Sequence, residues 1–381
     1  MSNGRFPKNE IISLLDVHRR HNLAESTSSD LILHELVDQS DLESLLELRL
    51  GYGTSKGNLT LRKLIADRVG VNPDDVLVTQ GAALSLFLTN FELCGTGDEI
   101  IVATPCFPPT IDAMRATGAT ISPFKLSFEE SYQIDEAAFI STLNPKVKLV
   151  SIASPQNPSG VSIPQATVKR LVEAVRARAP DAFLVVDETY RDATYDGNAM
   201  PSVAGVSDRI ITTSSISKAY GAPGLRIGWL TTQSADLYER LTFAKLNTVI
   251  SASVVDEALT EILFNKLDVI LADRRSALSE ALDRLSRWVS DHSHLAEWVR
   301  PDAGALCCVR LCHDAFSDNA VDAFYTVLEA HDLQVADGTW FGEEKRVFRL
   351  GFGYLPLNDF MVALEVLSAT LSTTSDKQSG A

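Results

Sequence analysis

The rhythm of hydrophobic residues changes along the chain. Between residues 76 and 232, short β-rich runs recur as VLVTQ, EIIVATP, KLVSIASP, AFLVVDE, RIITTSSIS and RIGWLTT. Several are apolar at successive positions, which predicts strands covered on both faces in a mostly parallel sheet. Segments of helical spacing such as PQATVKRLVEAVRARA separate them, as crossovers between parallel strands require. Before this region, residues 1–44 read as a polar arm with a short helix, and ESLLELRL leads into the glycine-rich GYGTSKGNLTLRKLIADRV. After about residue 235 the pattern becomes long and amphipathic, including SVVDEALTEILFNKLDVILADRRSALSEALDRLSRWV, a natural bridge. The remainder, GALCCVRL, VDAFYTVLEAHDL and RVFRLGF with a last helix, alternates strand and helix on a smaller scale and predicts a second domain. The tail STTSDKQSGA has no apolar face, so the chain is expected to be loose from about residue 372.

Composition narrows the partners. The chain has 381 residues, 45% hydrophobic and 22% charged, enough for one large core and a smaller one. A formal charge of −16, from 50 acidic against 34 basic residues, opposes nonspecific attraction to nucleic acid or an anionic membrane and favours small-molecule partners. The opening MSNGRFPKNE has no apolar core of a signal peptide and no apolar run reaches the length of a membrane span, so a cytoplasmic location is expected. The five cysteines show no CxxC pair and no metal-ligand spacing; Cys307 and Cys308, in the strand-like ALCCVRL, are expected to be buried thiols.

The strongest chemical signal is SSISKAYGAPGLRIGW, residues 214–229. Ser215 precedes Lys218 by three positions and Arg226 follows it by eight, with two glycines between. A hydroxyl and a guanidinium bracketing an amine suit a phosphate held beside a reactive lysine. Taken alone, the segment also fits a surface lysine and a packing arginine. Asp187, at the end of the strand in VVDETY, could keep a pyridine nitrogen protonated, and Tyr190 or Asn157 could bond a phenolic oxygen on the same ring. In isolation Asp187 reads first as a helix cap and Asn157 as a turn residue. VTQGAALSLFL is strand, glycine, helix, so the N–H groups of Gly81, Ala82 and Ala83 are candidates for an anion. Phe107, in the proline-flanked ATPCFPP, could stack on a flat heteroaromatic ring.

These segments, in this order, resemble the fold-type I pyridoxal-phosphate enzymes, specifically the class I/II aminotransferase family, and the resemblance covers nearly the whole chain. It rests on Tyr52, Gly57, Leu61 and Arg62, on Gly81 to Ala83, Phe107, the NPxG at Asn157, the DxxY pair Asp187 and Tyr190, the SxSK lysine Lys218, Arg226, and Arg349 in RVFRLGF. It implies an α/β fold with a mostly parallel seven-stranded sheet in a large domain, residues 45–280, and a smaller α/β domain from residues 1–44 and 281–381. It implies pyridoxal 5'-phosphate held covalently by Lys218, which also moves the substrate α-proton. Ser215, Arg226 and the Gly81 turn would hold the phosphate, joined by Tyr52 from the neighbouring subunit of a homodimer. Arg349, with Asn157 beside it, would clamp the substrate α-carboxylate.

Where relatives carry a glycine-containing loop, this chain reads NLAESTSSDLILHEL. Glu25, Asp30 and Glu35, together with Asp16, could make an acidic arm for a cationic side chain, with Glu25 as the substrate contact, although such an arm also fits a solvated surface. The Ser-rich arm and KAYGAPGLRIGW are similar to the branch around capreomycidine synthase and related arginine-processing enzymes. The expected activity is amino-group transfer between an L-amino acid and a 2-oxo acid; the alternative is a cyclase, lyase or oxidase acting on an arginine-like amino acid. An inert cofactor-binding protein is disfavoured by the joint presence of Lys218, Asp187 and Arg349. No metal role is expected.

Overall fold

A computed structural model describes residues 4–376. Its principal sheet has seven strands: β1 (Val76–Thr79), β2 (Glu99–Thr104), β3 (Thr120–Lys125), β4 (Val147–Ala153), β5 (Phe183–Asp187), β6 (Ile210–Ser215) and β7 (Gly228–Thr232). Their order is β1-β7-β6-β5-β4-β2-β3, and β7 alone runs against the rest. Side chains alternate between two cores. Ile101, Val150, Ile152, Leu184 and Val186 pack towards the helix Gln165–Arg178, whereas Ile100, Val102, Leu149, Val185 and Ile211 pack on the other face. Burial on both faces explains the near-continuous apolar runs.

Six of the seven strands coincide with the runs singled out above. The seventh, β3, was not among them. It is an edge strand carrying Pro123, with exposed or half-buried residues at each position, so its composition lacks the apolar signature of a central strand.

A second sheet is wholly antiparallel, in the order β10-β11-β9-β8: β8 (Ala296–Val299), β9 (Leu306–Leu311), β10 (Ala336–Asp337) and β11 (Val347–Gly351). Cys307 and Cys308 lie on β9 and are fully buried, as their strand-like context predicted. The long amphipathic stretch divides at Lys266 into Val254–Asn265 and Leu267–Asp291. The latter packs Leu278, Leu282 and Leu285 into a core shared with Phe324, Phe348, Phe360 and Leu367 of the second sheet and its helices, and with Val76, Val78 and Trp229 of the first. The C-terminal helix continues to Thr374, and Asp376 accepts a bond from Ser317 N, so residues 372–376 are tied down rather than loose; 377–381 lie outside the described residues.

The N-terminal arm is also anchored. His21 and Asn22 pair in parallel with Leu333 and Gln334, and Gly351 N donates to Leu23 O at 2.7 Å. A Cβ on Gly351 would lie 1.7 Å from Glu25 O, so only glycine lets the arm press against β11.

Candidate active site

The parallel strands deliver their chemistry at one edge. β1 ends before Gly81, β2 before Phe107, β4 before Asn157, β5 at Asp187 and β6 at Ser215, just before Lys218. Open α/β sheets collect ligands outside the carboxyl ends of their strands. The register reinforces the convergence, because Gly228 of β7 pairs with both Thr79 and Ser215.

Lys218 Nζ donates to Ser26 Oγ at 3.1 Å and to Glu25 Oε1 at 3.4 Å. Ser26 Oγ lies 3.0 Å from Tyr190 Oη, which accepts from Asn157 Nδ2 at 3.3 Å. Asn157 Oδ1 in turn accepts from Arg349 at 2.9 Å, and the other terminal nitrogen of Arg349 donates to Ala24 O at 2.5 Å. A continuous polar chain therefore joins the lysine, phenol, amide and guanidinium named from sequence. Three consecutive arm residues, Ala24, Glu25 and Ser26, touch it.

Burial sets the electrostatics. It works against the charged form of Glu25, but Lys218, Arg349 and the Ser26 N–H outweigh it and hold the carboxyl below its ordinary range. Asp187 goes the other way. Its burial raises the carboxyl above the usual value, although Thr189 N and Oγ1 both donate to Oδ1, at 2.9 and 2.5 Å. Asp187 has no ion pair among the described residues, and the charge of Lys218 offsets only part of what burial does to it. Arg349 is 3% exposed, lies over the Phe341 ring at 4.8 Å, and has an Nε with no partner among the described residues.

The helix Gly81–Leu93 has no side-chain cap on its first turn, leaving its N–H groups available to an anion. A Cβ on Gly81 (φ 71°) would stand 2.6 Å from an Arg226 terminal nitrogen, so the guanidinium approaches the turn only because the residue is glycine. Arg226 itself is left-handed (φ 51°), a conformation costing a non-glycine residue about 1–2 kcal/mol, and its exposed guanidinium has no carboxylate partner among the described residues. Ser215, 2% exposed, ends β6 opposite Gly228, which also pairs with Thr79 just before this turn. Phe107 is half-buried and packs in a cluster with Ala24 and Phe341.

Not every candidate meets the others. Tyr52 is 88% exposed and meets none of the other candidates. Of the acidic arm only Glu25 enters the polar chain; Asp16 is exposed at the end of a 3-10 helix, and Asp30 and Glu35 lie close enough to Arg274 to act on its charge. Ser26, the Ala24 carbonyl and Thr189 were not anticipated. Their sequence context is a polar arm and a strand end, and only the pairing of residue 22 with residue 334 reveals where the arm lies.

A sheet of this order with a half-buried lysine and aspartate and a buried arginine at its carboxyl edge defines a fold-type I pyridoxal-phosphate enzyme. The chain belongs to the aminotransferase class I and II family, whose sequence profile matches residues 21–366. It is 28% identical to the arginine–pyruvate transaminase of Pseudomonas aeruginosa over 80% of this chain and 78% of that one. It is 27% identical to the capreomycidine synthase of Streptomyces vinaceus, covering 84% and 81%. A solved PLP-dependent aminotransferase from Streptococcus suis superposes with a TM-score of 0.89 at 25% identity, covering 98% of this chain and all of that one. The cofactor of this family is pyridoxal 5'-phosphate. The site fits it: among the described residues, a guanidinium with no carboxylate partner and an open helix turn for a dianion, a carboxylate with no ion pair for a ring cation, and a lysine at the same sheet edge.

Proposed function

We propose that this enzyme transfers the amino group of an L-amino acid to a 2-oxo acid in two half-reactions, with Lys218 as the covalent cofactor lysine. The observation that carries the reading is the hydrogen-bonded chain from Lys218 through Ser26, Tyr190 and Asn157 to Arg349. Gly81, Ala82, Ala83, Ser215 and Arg226 would hold the phosphate. Asp187 would keep the ring nitrogen protonated, Tyr190 and Asn157 would bond the ring oxygen, and Phe107 would stack on the ring. When bound, the cofactor supplies an electron sink that makes a substrate α-proton labile. Lys218 takes that proton and returns it on the other side of the half-reaction. Arg349 receives the α-carboxylate and so orients the Cα–H bond towards Lys218.

Residues 45–280 would form the large cofactor domain, with the arm and residues 281–381 as the small domain that closes over the substrate. A homodimer would bring the exposed Tyr52 to the phosphate of the other subunit. Supporting this, Leu46, Leu50, Tyr52 and Leu59 lie near one another in sequence and are all at least half exposed in the protomer. Five cysteines with no disulfide among the described residues suit a reducing compartment, in keeping with a cytoplasmic enzyme; among the described residues no helix is long and apolar enough to cross a membrane.

Glu25 favours a second reading, in which the substrate is cationic and arginine-like and the outcome is cyclisation, elimination or oxidation. Its carboxylate lies inside the site, beside Lys218. One experiment separates the two: purified holoenzyme is mixed with a panel of amino acids while absorbance, oxygen and products are followed. A pyridoxamine form reversed by a 2-oxo acid supports transfer; oxygen consumption or a ring product supports the second reading. No spectral change with any amino acid rejects both.

A further inference from the structure

Three charged side chains are buried away from the active site and converge on one surface segment. Lys245, on the helix Ala235–Thr248, has no exposed surface, and its Nζ donates to Ser55 O at 2.5 Å. Glu257, on the helix Val254–Asn265, is 3% exposed, and its Oε1 accepts from Asn58 N at 3.1 Å. Arg62, on the helix Leu59–Val69, donates to Gly57 O at 3.3 Å and to Pro73 O at 2.6 Å. Thr54 Oγ1 adds a bond to the same Gly57 O, and Val78 N donates to Lys56 O. The backbone from 54 to 58 is therefore lashed from beneath by three helices and a strand.

Burying an ammonium and a carboxylate is costly, and an apolar pair of the same volume would serve packing alone at least as well. These charges are instead spent on one carbonyl and one amide of a loop. The loop's distinctive side chain is Tyr52, which leaves the protomer with no partner of its own among the described residues. We propose that Lys245 and Glu257 are positioning residues, which hold segment 53–58 so that Tyr52 is presented to the cofactor phosphate of the other subunit. This rests on the assignment of Tyr52 made above. It assigns the work of the buried pair to the neighbouring site rather than to the site of the chain that contains it.

Mixed dimers test that direction. One pairs a wild-type chain with a chain carrying both K218A and K245M, so that covalent cofactor forms only in the wild-type pocket, faced by the altered segment. The other pairs a K218A chain with a K245M chain, so that it forms only in the K245M pocket, faced by an unaltered segment. Pyridoxal phosphate is titrated into each cofactor-free dimer, and covalently held cofactor is counted by mass after borohydride reduction. Loading is expected to be about tenfold weaker in the first dimer and unchanged in the second. Equal loading in both, or weakening confined to the second, overturns the proposal. E257Q, which keeps the shape of the side chain, replaces K245M if that chain does not fold. Y52F in the same design tests the layer beneath. If Y52F leaves loading unchanged, the Tyr52 assignment fails and the positioning role with it; if Y52F weakens loading and K245M does not, only the positioning role is refuted.

Discussion

Two regions of this molecule bury charge, and they do so differently. At the carboxyl edge of the sheet, Lys218, Asp187 and Arg349 retain unspent capacity: the lysine is a quarter exposed, and among the described residues the aspartate has no ion pair and the arginine Nε has no partner. Beneath the Tyr52 segment, Lys245, Glu257 and Arg62 bond the protein's own backbone, and Arg62 also pairs with Asp74 at 3.3 Å. Burial alone therefore does not mark a ligand site. At the site, charged groups that differ in sign and share one sheet edge are left incomplete by the protein, and a bound molecule can complete them; a satisfied buried charge marks a piece of backbone that has to be held.

The contrast can be broken from either side. The largest effect is expected at Lys218. K218A should lose the borohydride-stable adduct and slow turnover by about 10²–10⁴-fold, while thermal unfolding moves little; retention of either adduct or rate would remove the lysine from the chemistry.

The next effect tests the satisfied region. Lys245 titrates at about 8 because burial disfavours its charge more than Glu257 favours it, against an ordinary value of 10.5. The unfolded chain thus binds this proton more tightly than the folded one. The penalty is fully present below pH 8 and is lost as pH rises towards 10.5. Wild-type stability relative to K245M should accordingly increase by about 3 kcal/mol across that interval, measured by urea unfolding at fixed pH values. A flat difference would show that the ammonium is not paying a burial cost.

R349K keeps a positive charge but loses the planar fork. The expected fall in kcat/KM is on the order of a hundredfold, carried mainly by KM for the amino acid, with cofactor loading preserved. Loss of loading with unchanged KM would move Arg349 from substrate to cofactor.

The smallest effect concerns Glu25. E25Q should lower the preference for a cationic over a neutral amino acid by about tenfold in kcat/KM. Equal effects on both substrates would leave Glu25 as a partner of Lys218 only.

Much of this was legible in the sequence because the relevant signals are local. Apolar runs at successive positions marked six strands, and Asn157, Asp187 and Lys218 sit at or just beyond strand ends, where parallel sheets present their chemistry. The edge strand Thr120–Lys125 was hidden by its exposure and its proline. Ser26 was hidden for another reason: nothing in a run of serines and threonines distinguishes the hydroxyl that lies between Lys218 and Tyr190 from its neighbours Thr27 and Ser28. Lys245 and Glu257 lie on helices where nothing in the sequence distinguishes them from other polar positions.

The sequence by itself determined the period of each element, the order of the chemical groups along the chain, and their placement at strand ends, since these depend on residues close together in the chain. Which face of a helix is covered, and which of the acidic arm residues turns inward, was decided only in three dimensions. Glu25 reaches Lys218 across 193 positions because Asn22 pairs with Gln334 and Gly351 admits the arm. Contacts of that kind are set by packing between distant segments, where burial and close approach, not local preference, fix the free energy.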